Sequence, residues 1–241
     1  MYSYPDVFTQ KERVLFVTAH PDDLVVFFGA LVHRLRQDGK EVYVLLATNG
    51  ARGSRENHIS EAALAAQRLQ EEQACLAELG VAADHLFCLG YADGEVNSDL
   101  SLIGEVAYYI RKLKVDLVAT HEPSLQYLPT YAKNGYFVQH RDHRQIGEAV
   151  IDAVYPFSRD RSFFPKHAEE GIEPQSVFDL LLTDEKDCNF TFDYTEQVAA
   201  KKRAMRAHKS QFTEETIDAI LNSFQFDGKY VERFHYVKLL W

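Results

Sequence analysis

The chain has 241 residues, of which 46% are hydrophobic, and it carries a formal net charge of −10. This length and composition are ordinary for a single soluble α/β domain covering residues 1–241, and the acidic balance argues against general binding to nucleic acid or to an anionic membrane. No apolar run reaches the roughly 18 residues of a membrane span, and the N-terminal residues lack a signal-peptide pattern. Three widely spaced cysteines favour free thiols in a reducing compartment, so we expect a cytoplasmic protein.

The first half of the chain alternates predicted strands with predicted helices. Strands are expected at 14–18, 41–47, 85–89 and 115–120, and helices at 24–37, 61–79 and 100–113. In the second of these helices the apolar residues at a spacing of three or four are Ala62, Ala66, Leu69, Leu76 and Leu79, and Gly80 is a suitable stop. This order predicts a Rossmann-like, three-layer α/β fold with a mainly parallel sheet.

Polar residues occupy the junction between the first strand and the first long helix, where His20, Pro21, Asp22 and Asp23 follow one another. In a parallel sheet the carboxyl end of a strand is where side chains converge on a ligand. Pro21 disfavours a helical conformation at His20, so the helix should begin after the histidine, with His20 and Asp23 facing one point and Asp22 beside it. A dinucleotide site would need glycines here instead, and this bulky anionic run would repel a phosphate.

A second polar run, His140, Arg141, Asp142 and His143, follows an irregular segment at 121–139 that is either a substrate wall or a packed surface loop. Its two histidines are three residues apart and share a helix face or first turn. Together the two runs offer three imidazoles and three carboxylates, and zinc in catalytic sites usually takes three such ligands. They therefore predict a metal site, with solvated helix starts as the alternative because Asp commonly caps helices.

Further elements are predicted in the second half: a strand at 177–182 and helices at 198–211 and 217–224. The basic side chains of the helix at 198–211 are expected to form a solvated face. No repeat or linker divides the chain, so the motif-bearing core at about 12–155 should form one domain with the rest. His121 at a strand end, and Arg52 and Arg55 after the second strand, are candidates for the pocket wall, with a solvated role as the alternative for the arginines.

These motifs, in this order, resemble the LmbE-like family of zinc-dependent N-deacetylases, also called the PIG-L superfamily. The resemblance covers nearly the whole chain and is supported by five shorter stretches: 48–50, 79–81, 93–94, 115–118 and 208–211. Two positions depart from the family pattern: Leu24 stands where members usually have Glu, and Arg141 where they often have Pro.

The resemblance implies a role for most of the polar residues in the two runs. His20, Asp23 and His143 would bind zinc, and Asp22 would be the general base. His140 would support the oxyanion or protonate the leaving amine, with Asp142 orienting it. From the C-terminal part, His208 and Gln211 would close the site.

The implied activity is the removal of an acetyl group from an N-acetylated amino sugar or a sugar-bearing small molecule. Two alternatives stay open: a zinc amidase acting on thiol conjugates or larger N-acyl groups, and a non-catalytic metal- or sugar-binding member, which Leu24 motivates. Imidazole–carboxylate sites also accept other divalent transition metals. The expected partner is the small-molecule substrate, and a homo-oligomer is left open.

Overall fold

The computed structural model describes residues 1–54, 59–130, 135–183 and 186–240. In chain order its main elements are α1 (Tyr4–Phe8), β1 (Arg13–Thr18), α2 (Asp23–Gln37), β2 (Glu41–Thr48), α3 (Glu61–Glu78), β3 (Leu86–Tyr91), α4 (Leu100–Leu113), β4 (Leu117–His121), β5 (Tyr127–Thr130), β6 (Gly135–Val138), α5 (Arg141–Asp152), α6 (Pro165–Glu169), β7 (Asp179–Thr183), β8 (Phe190–Asp193), α7 (Val198–Met205), α8 (Glu214–Ser223), β9 (Gln225–Phe226) and β10 (Lys229–Lys238).

The central sheet has the strand order β3-β2-β1-β4-β7-β10-β8. Its first five strands are parallel, whereas β10 runs antiparallel to both neighbours. The predicted α/β fold with a mainly parallel sheet is therefore confirmed, although the sequence pattern did not predict β8, β10 or the small β5–β6 hairpin. The strand order reverses between β1 and β4, and the crevice at such a switch point is the usual ligand site of an open α/β sheet.

Strand β1 shows why the sheet is covered on both faces. Val14 and Phe16 pack in a core with apolar residues of α2, α3, α7 and α8, and Leu15 and Val17 pack in a second core with those of α4 and α5. All four side chains are fully buried. A strand covered on both sides reads as a continuous apolar run, which is the pattern of this segment.

Helix α3 buries only part of the face that the apolar spacing predicted. Leu76 and Leu79 are buried and Leu69 packs against the core, but Ala62 and Ala66 are exposed. The buried face also carries charged residues among apolar ones: Leu64, Ala65, Arg68, Glu71, Glu72, Cys75 and Leu76. Charged side chains are rarely buried unless they are paired, so this face needs polar partners inside the molecule.

The predicted helix at 198–211 is shorter and less exposed than expected. Helix α7 ends at Met205, and the following turn is held by Glu71, whose carboxylate accepts hydrogen bonds from the backbone N–H and hydroxyl of Ser210. The prediction of a solvated basic face is wrong at Lys201, which is fully buried with its Nζ 2.8 Å from Oε1 of Glu232. Lys201 also donates to the carbonyl of Val26, so this ion pair locks α7 and β10 onto α2.

Candidate active site

The junction after β1 places three site residues within four positions. His20 follows the strand by two residues, and α2 begins at Asp23. The carboxylate of Asp23 accepts the backbone N–H of His20 at 2.7 Å, which closes the turn. Asp22 between them has a φ of 99°, a left-handed conformation that is costly for a residue with a side chain and is kept only where surrounding contacts hold it.

His20, Asp23 and His143 meet at the carboxyl end of the sheet, with one potential ligand atom from each within 4.8 Å of the others. Nδ1 of His20 lies 3.4 Å from Oδ2 of Asp23, and Nε2 of His143 lies 3.1 Å from Oδ1 of Asp23. Ligands bound tetrahedrally at 2.0–2.2 Å are themselves about 3.3–3.6 Å apart. The spacing and chemistry of these three side chains therefore fit a divalent transition metal.

A second layer of carboxylates orients the imidazole of His20. Oδ1 of Asp93 and Oδ2 of Asp142 both lie 3.2 Å from its Nε2, so Nε2 carries the proton and Nδ1 faces Asp23. Burial disfavours the charged ring, but hydrogen bonds with Asp142, Asp23 and Asp93 outweigh it and raise the pKa of His20 well above its ordinary value. Burial likewise opposes ionisation of Asp93, yet the contact with His20 brings its pKa down to about 2.

Asp142 therefore supports His20 more directly than His140, the residue that the sequence led us to pair with it. One oxygen of its carboxylate contacts His20 and accepts the backbone N–H of Gly94 at 2.7 Å. The same oxygen is 3.9 Å from Nδ1 of His140, beyond a hydrogen bond. The register of α5 explains this, because Asp142 lies in the first turn and points inward, where it is fully buried.

His140 caps the N-terminus of α5. Its Nδ1 accepts the backbone N–H of Asp142 at 3.1 Å, and its ring lies 4.7 Å from that of His20 and is about half exposed. Burial lowers the pKa of His140, and electrostatic repulsion from the neighbouring imidazole of His20 lowers it further. A neutral ring with Nδ1 as acceptor carries its proton on Nε2.

Asp22 is held by two polar residues of α3 that the sequence did not single out, Arg68 and Glu72. Its carboxylate lies 3.0 Å from Nη2 of Arg68, and its backbone N–H donates to Oε2 of Glu72 at 3.0 Å. Arg68 also donates to the carbonyls of Pro21 and Gly50. A Cβ at Gly50 or Gly53 would collide with the Arg68 guanidinium, so these glycines leave room for it. Burial, opposed by Arg68, raises the pKa of Asp22 to about 7.

His208 packs against Glu72 inside the molecule and does not close the site as predicted. It is fully buried, and its Nε2 is 3.4 Å from Oε2 of Glu72. Burial raises the pKa of Glu72 to about 8 and lowers that of His208 to about 3. Both groups are therefore neutral near pH 7, and their contact is not an ion pair.

The other predicted substrate contacts lie at different distances from the site. His121 is 1% exposed and stacks on His143 with ring centroids 4.0 Å apart, so it supports the ligand cluster instead of lining a pocket. Arg52 lies at the rim, where it contacts Glu95 at 2.7 Å and the carbonyl of Asp93 at 2.8 Å. Gln211 lies near this rim, with its Oε1 3.5 Å from the position of a Cβ at Gly53. Arg55 lies outside the described residues.

Asp93, Arg68 and Glu72 are the polar site residues to which sequence reasoning assigned no role. Asp93 was noted only as part of a family stretch. For Arg68 and Glu72 the available signal was charge on the face of α3 that also carries Leu64 and Leu76, because charged side chains on a core-facing stripe call for a buried partner.

The chain is also similar to known proteins. The GlcNAc-PI de-N-acetylase family, PIG-L, matches residues 15–154, more than half of the chain. The chain belongs to this family. Among curated proteins, PIG-L relatives include the diacetylchitobiose deacetylase of Thermococcus kodakarensis, which is 30% identical over 86% of this chain and 73% of that protein.

Another relative is the 1D-myo-inositol 2-acetamido-2-deoxy-α-D-glucopyranoside deacetylase of Kineococcus radiotolerans, 27% identical over 85% of this chain and 70% of its own length. Among solved structures, the N,N′-diacetylchitobiose deacetylase of Pyrococcus horikoshii, in complex with its inhibitor MPG, superimposes with a TM-score of 0.85. It is 27% identical, and the match covers 96% of this chain and 85% of that one. The predicted family and the predicted class of enzyme, an N-deacetylase, are confirmed. Among the described residues no helix of this PIG-L member has the length and apolar character of a membrane span.

Proposed function

We propose that this PIG-L protein is a zinc-dependent hydrolase that removes the acetyl group from an N-acetylated amino sugar or a sugar-bearing small molecule. The observation that carries the proposal is the arrangement of His20, Asp23 and His143 around one point, with the carboxylate of Asp22 held beside it by other contacts. The deacetylase relatives, which act on acetylated amino sugars according to their names, support the substrate class.

Two imidazoles and one carboxylate would hold the metal in this proposal. Zinc bound there would lower the pKa of a water molecule and polarise the amide carbonyl. Asp93 and Asp142 keep His20 in the tautomer that presents Nδ1 to the metal, and Asp23 closes the turn that positions both groups. Such outer carboxylates typically raise the basicity of the ligand that they orient.

Asp22 is the proposed general base, because its carboxylate lies next to the ligand cluster and is fixed by Arg68. It takes a proton from the water that attacks the amide carbon. His140 presents Nε2–H near His20. As a neutral ring it donates a hydrogen bond to the developing oxyanion, and as an imidazolium it passes a proton to the leaving nitrogen and becomes neutral. The amide C–N bond breaks, and acetate and a free amine are released.

Substrate contacts from Arg52, Arg55 and Gln211 remain proposals, as do the single domain over 1–241, the cytoplasmic location and any homo-oligomer. Of the alternatives, the non-catalytic member is disfavoured by Asp22, since a binding protein has no need of a base held in a strained conformation. A larger acyl group is favoured by one specific feature of the structure, an apolar cavity beside His140 and His143.

The test is hydrolysis of N-acetylglucosamine and its glycosides, measured as released amine, before and after removal of metal by a chelator. We expect activity to be lost with the metal and restored by zinc or another divalent transition metal. Activity that is insensitive to metal removal, with no metal in the protein as isolated, would refute the metal-dependent mechanism.

Variants separate the roles. His20→Ala should lose metal, whereas His33→Ala, a matched change farther along α2, should keep it. Asp22→Asn should retain the metal but lose about 10² to 10⁴ in turnover, the usual contribution of a general base. Asp23→Asn should instead weaken metal binding. If the two Asn variants had the same metal content and rate, the proposed division of roles would be wrong.

A further inference from the structure

Beside the ligand cluster lies an apolar cavity of about 280 Å³. Its apolar lining comes from α2, α8 and the β5–β6 hairpin, and includes Val26, Phe27, Leu128, Phe137, Ile220 and Phe224. His140 and His143 form the side of the cavity that faces the site. Any group in this cavity is therefore next to the bond to be cleaved.

Phe27 joins the cavity to the site, since it lines the cavity and also contacts two histidines of the site. Phe27 packs edge-on against His143 and His121, with ring centroids 5.9 and 5.3 Å away. On the far side Phe27 packs against Phe224 at 6.4 Å. One aromatic side chain thus connects the predicted metal ligand His143 to the apolar wall on α8.

The cavity lining also includes the polar side chains of Gln139, Thr183, Ser223 and Arg233. Further polar groups suited to sugar hydroxyls lie across β1 from the cavity. Asn49, Arg52 and Asp93 follow β2 and β3, and none of the three lines the cavity. A secondary amide is planar and trans, so the groups on its carbon and on its nitrogen point to opposite sides. When the sugar on the nitrogen occupies the polar side, the acyl group on the carbon points into the apolar cavity.

We infer that this cavity is an acyl pocket and that the enzyme accepts N-acyl amino sugars whose acyl chain is longer than acetyl. This inference rests on the proposed amide hydrolysis. A water molecule takes up about 30 Å³ of liquid, so the cavity is several times larger than the single methyl group of an acetyl requires. Apolar walls stabilise each further methylene that leaves water for the cavity.

The size of the effect follows from the burial of methylene groups. Each one that is fully buried strengthens binding by about fourfold. A hexanoyl group has four more methylenes than acetyl, so kcat/KM should rise by at least about tenfold even if only half of them are buried.

The experiment compares two substrate series on the metal-loaded protein. In one, methyl glucosaminide carries an N-acetyl, N-butanoyl or N-hexanoyl group; in the other, the amide is acetyl and the aglycone is methyl, butyl or hexyl. Ser223→Phe fills the cavity from α8, and Asn222→Phe places the same ring on the exposed side of that helix as the matched control. We expect kcat/KM to increase along the acyl series, and Ser223→Phe, but not Asn222→Phe, to lower the hexanoyl-to-acetyl ratio by at least about tenfold.

Several results would overturn the inference. These are an acetyl substrate that is the best of its series, a gain in the aglycone series alone, or a ratio equally affected by both variants. Self-association that Ser223→Phe abolishes in sedimentation would identify the cavity as a contact between copies instead. If no amide is hydrolysed, the proposed function fails, and calorimetry decides the pocket by itself: hexanoate binding at least about tenfold tighter than acetate supports it, and equal binding refutes it.

Discussion

Glu72 provides a test of how the proposed base is held. It is fully buried, and its Oε2 accepts the backbone N–H of Asp22, the residue with the left-handed φ of 99°. Glu72→Leu removes this acceptor and leaves a buried N–H unpaired, which costs about 1–3 kcal/mol. The left-handed conformation costs a similar amount and persists only while its surroundings hold it. Without Glu72 we expect Asp22 to leave this conformation.

The expected result of Glu72→Leu is a fall in kcat of about 10² or more, since most of the general-base contribution depends on the position of Asp22. Metal content should be unchanged, because no predicted ligand is touched. Glu72→Gln keeps an acceptor oxygen and matches the neutral acid in shape, so it should retain turnover of the same order as wild type. Glu71→Leu removes the neighbouring buried carboxylate, which binds Ser210 instead, and serves as the control for a general loss of stability.

Steady-state kinetics on the acetylated substrate, with metal analysis of each variant, gives both readouts. Wild-type kcat in Glu72→Leu, or equal losses in the Gln and Leu variants, would refute the reasoning.

Stability provides a second check. Burial raises the pKa of Glu72 from 4.5 to about 8, so between these values the folded state keeps a proton that the unfolded state has lost. The contribution of Glu72 to the free energy of unfolding of the metal-free protein should therefore decrease as pH rises from about 4.5 to 8, so over this range the free energy of unfolding of the wild type should fall relative to that of Glu72→Gln.

Two further predictions concern His140 and the buried ion pair. His140→Ala should lower kcat by about 10² to 10³ with the metal retained. His140→Asn preserves a helix cap, so it should restore the melting temperature but not the rate. Recovery of both would show that the histidine only caps α5. Lys201→Met leaves the carboxylate of Glu232 buried without its cation and should lower the free energy of unfolding by about 3–5 kcal/mol in denaturant titrations, and a loss below about 1 kcal/mol would contradict that role.

Residues close together in the chain allowed the metal cluster to be predicted before any fold was known. His20 and Asp23 are fixed by one turn, and His140 and His143 by the first turn of one helix, so their relative positions follow from local geometry. The alternation of strands and helices likewise reflects periodic burial that can be read directly from the sequence. The parallel sheet then brings the two runs together, because the first directly follows β1 and the second begins α5, which the chain reaches from the carboxyl end of the adjacent strand β4 by way of the β5–β6 pair.

The antiparallel edge of the sheet could not be read in this way. Strand β10 pairs with β7 and β8 through contacts between residues that are far apart in the chain, such as Val237 with Leu180, and its burial alternates only in part. A pairing of this kind depends on which strand edge is left open after the parallel core has formed. It is therefore a property of the assembled sheet.

The support of the site was also decided by tertiary structure. Arg68, Glu72 and Lys201 are charged residues on helices, and local patterns assign such residues to solvent. They are buried because Asp22 and Glu232, each distant in sequence, supply partners that replace water. Asp22 pairs with Arg68 and donates its backbone N–H to Glu72, and Glu232 pairs with Lys201. Sequence by itself predicted the groups that we propose carry the chemistry, since these lie within single turns. Only the packing of α3, α7 and β10 around them decided how those groups are held, because a buried charge is stable only where the fold brings it a partner.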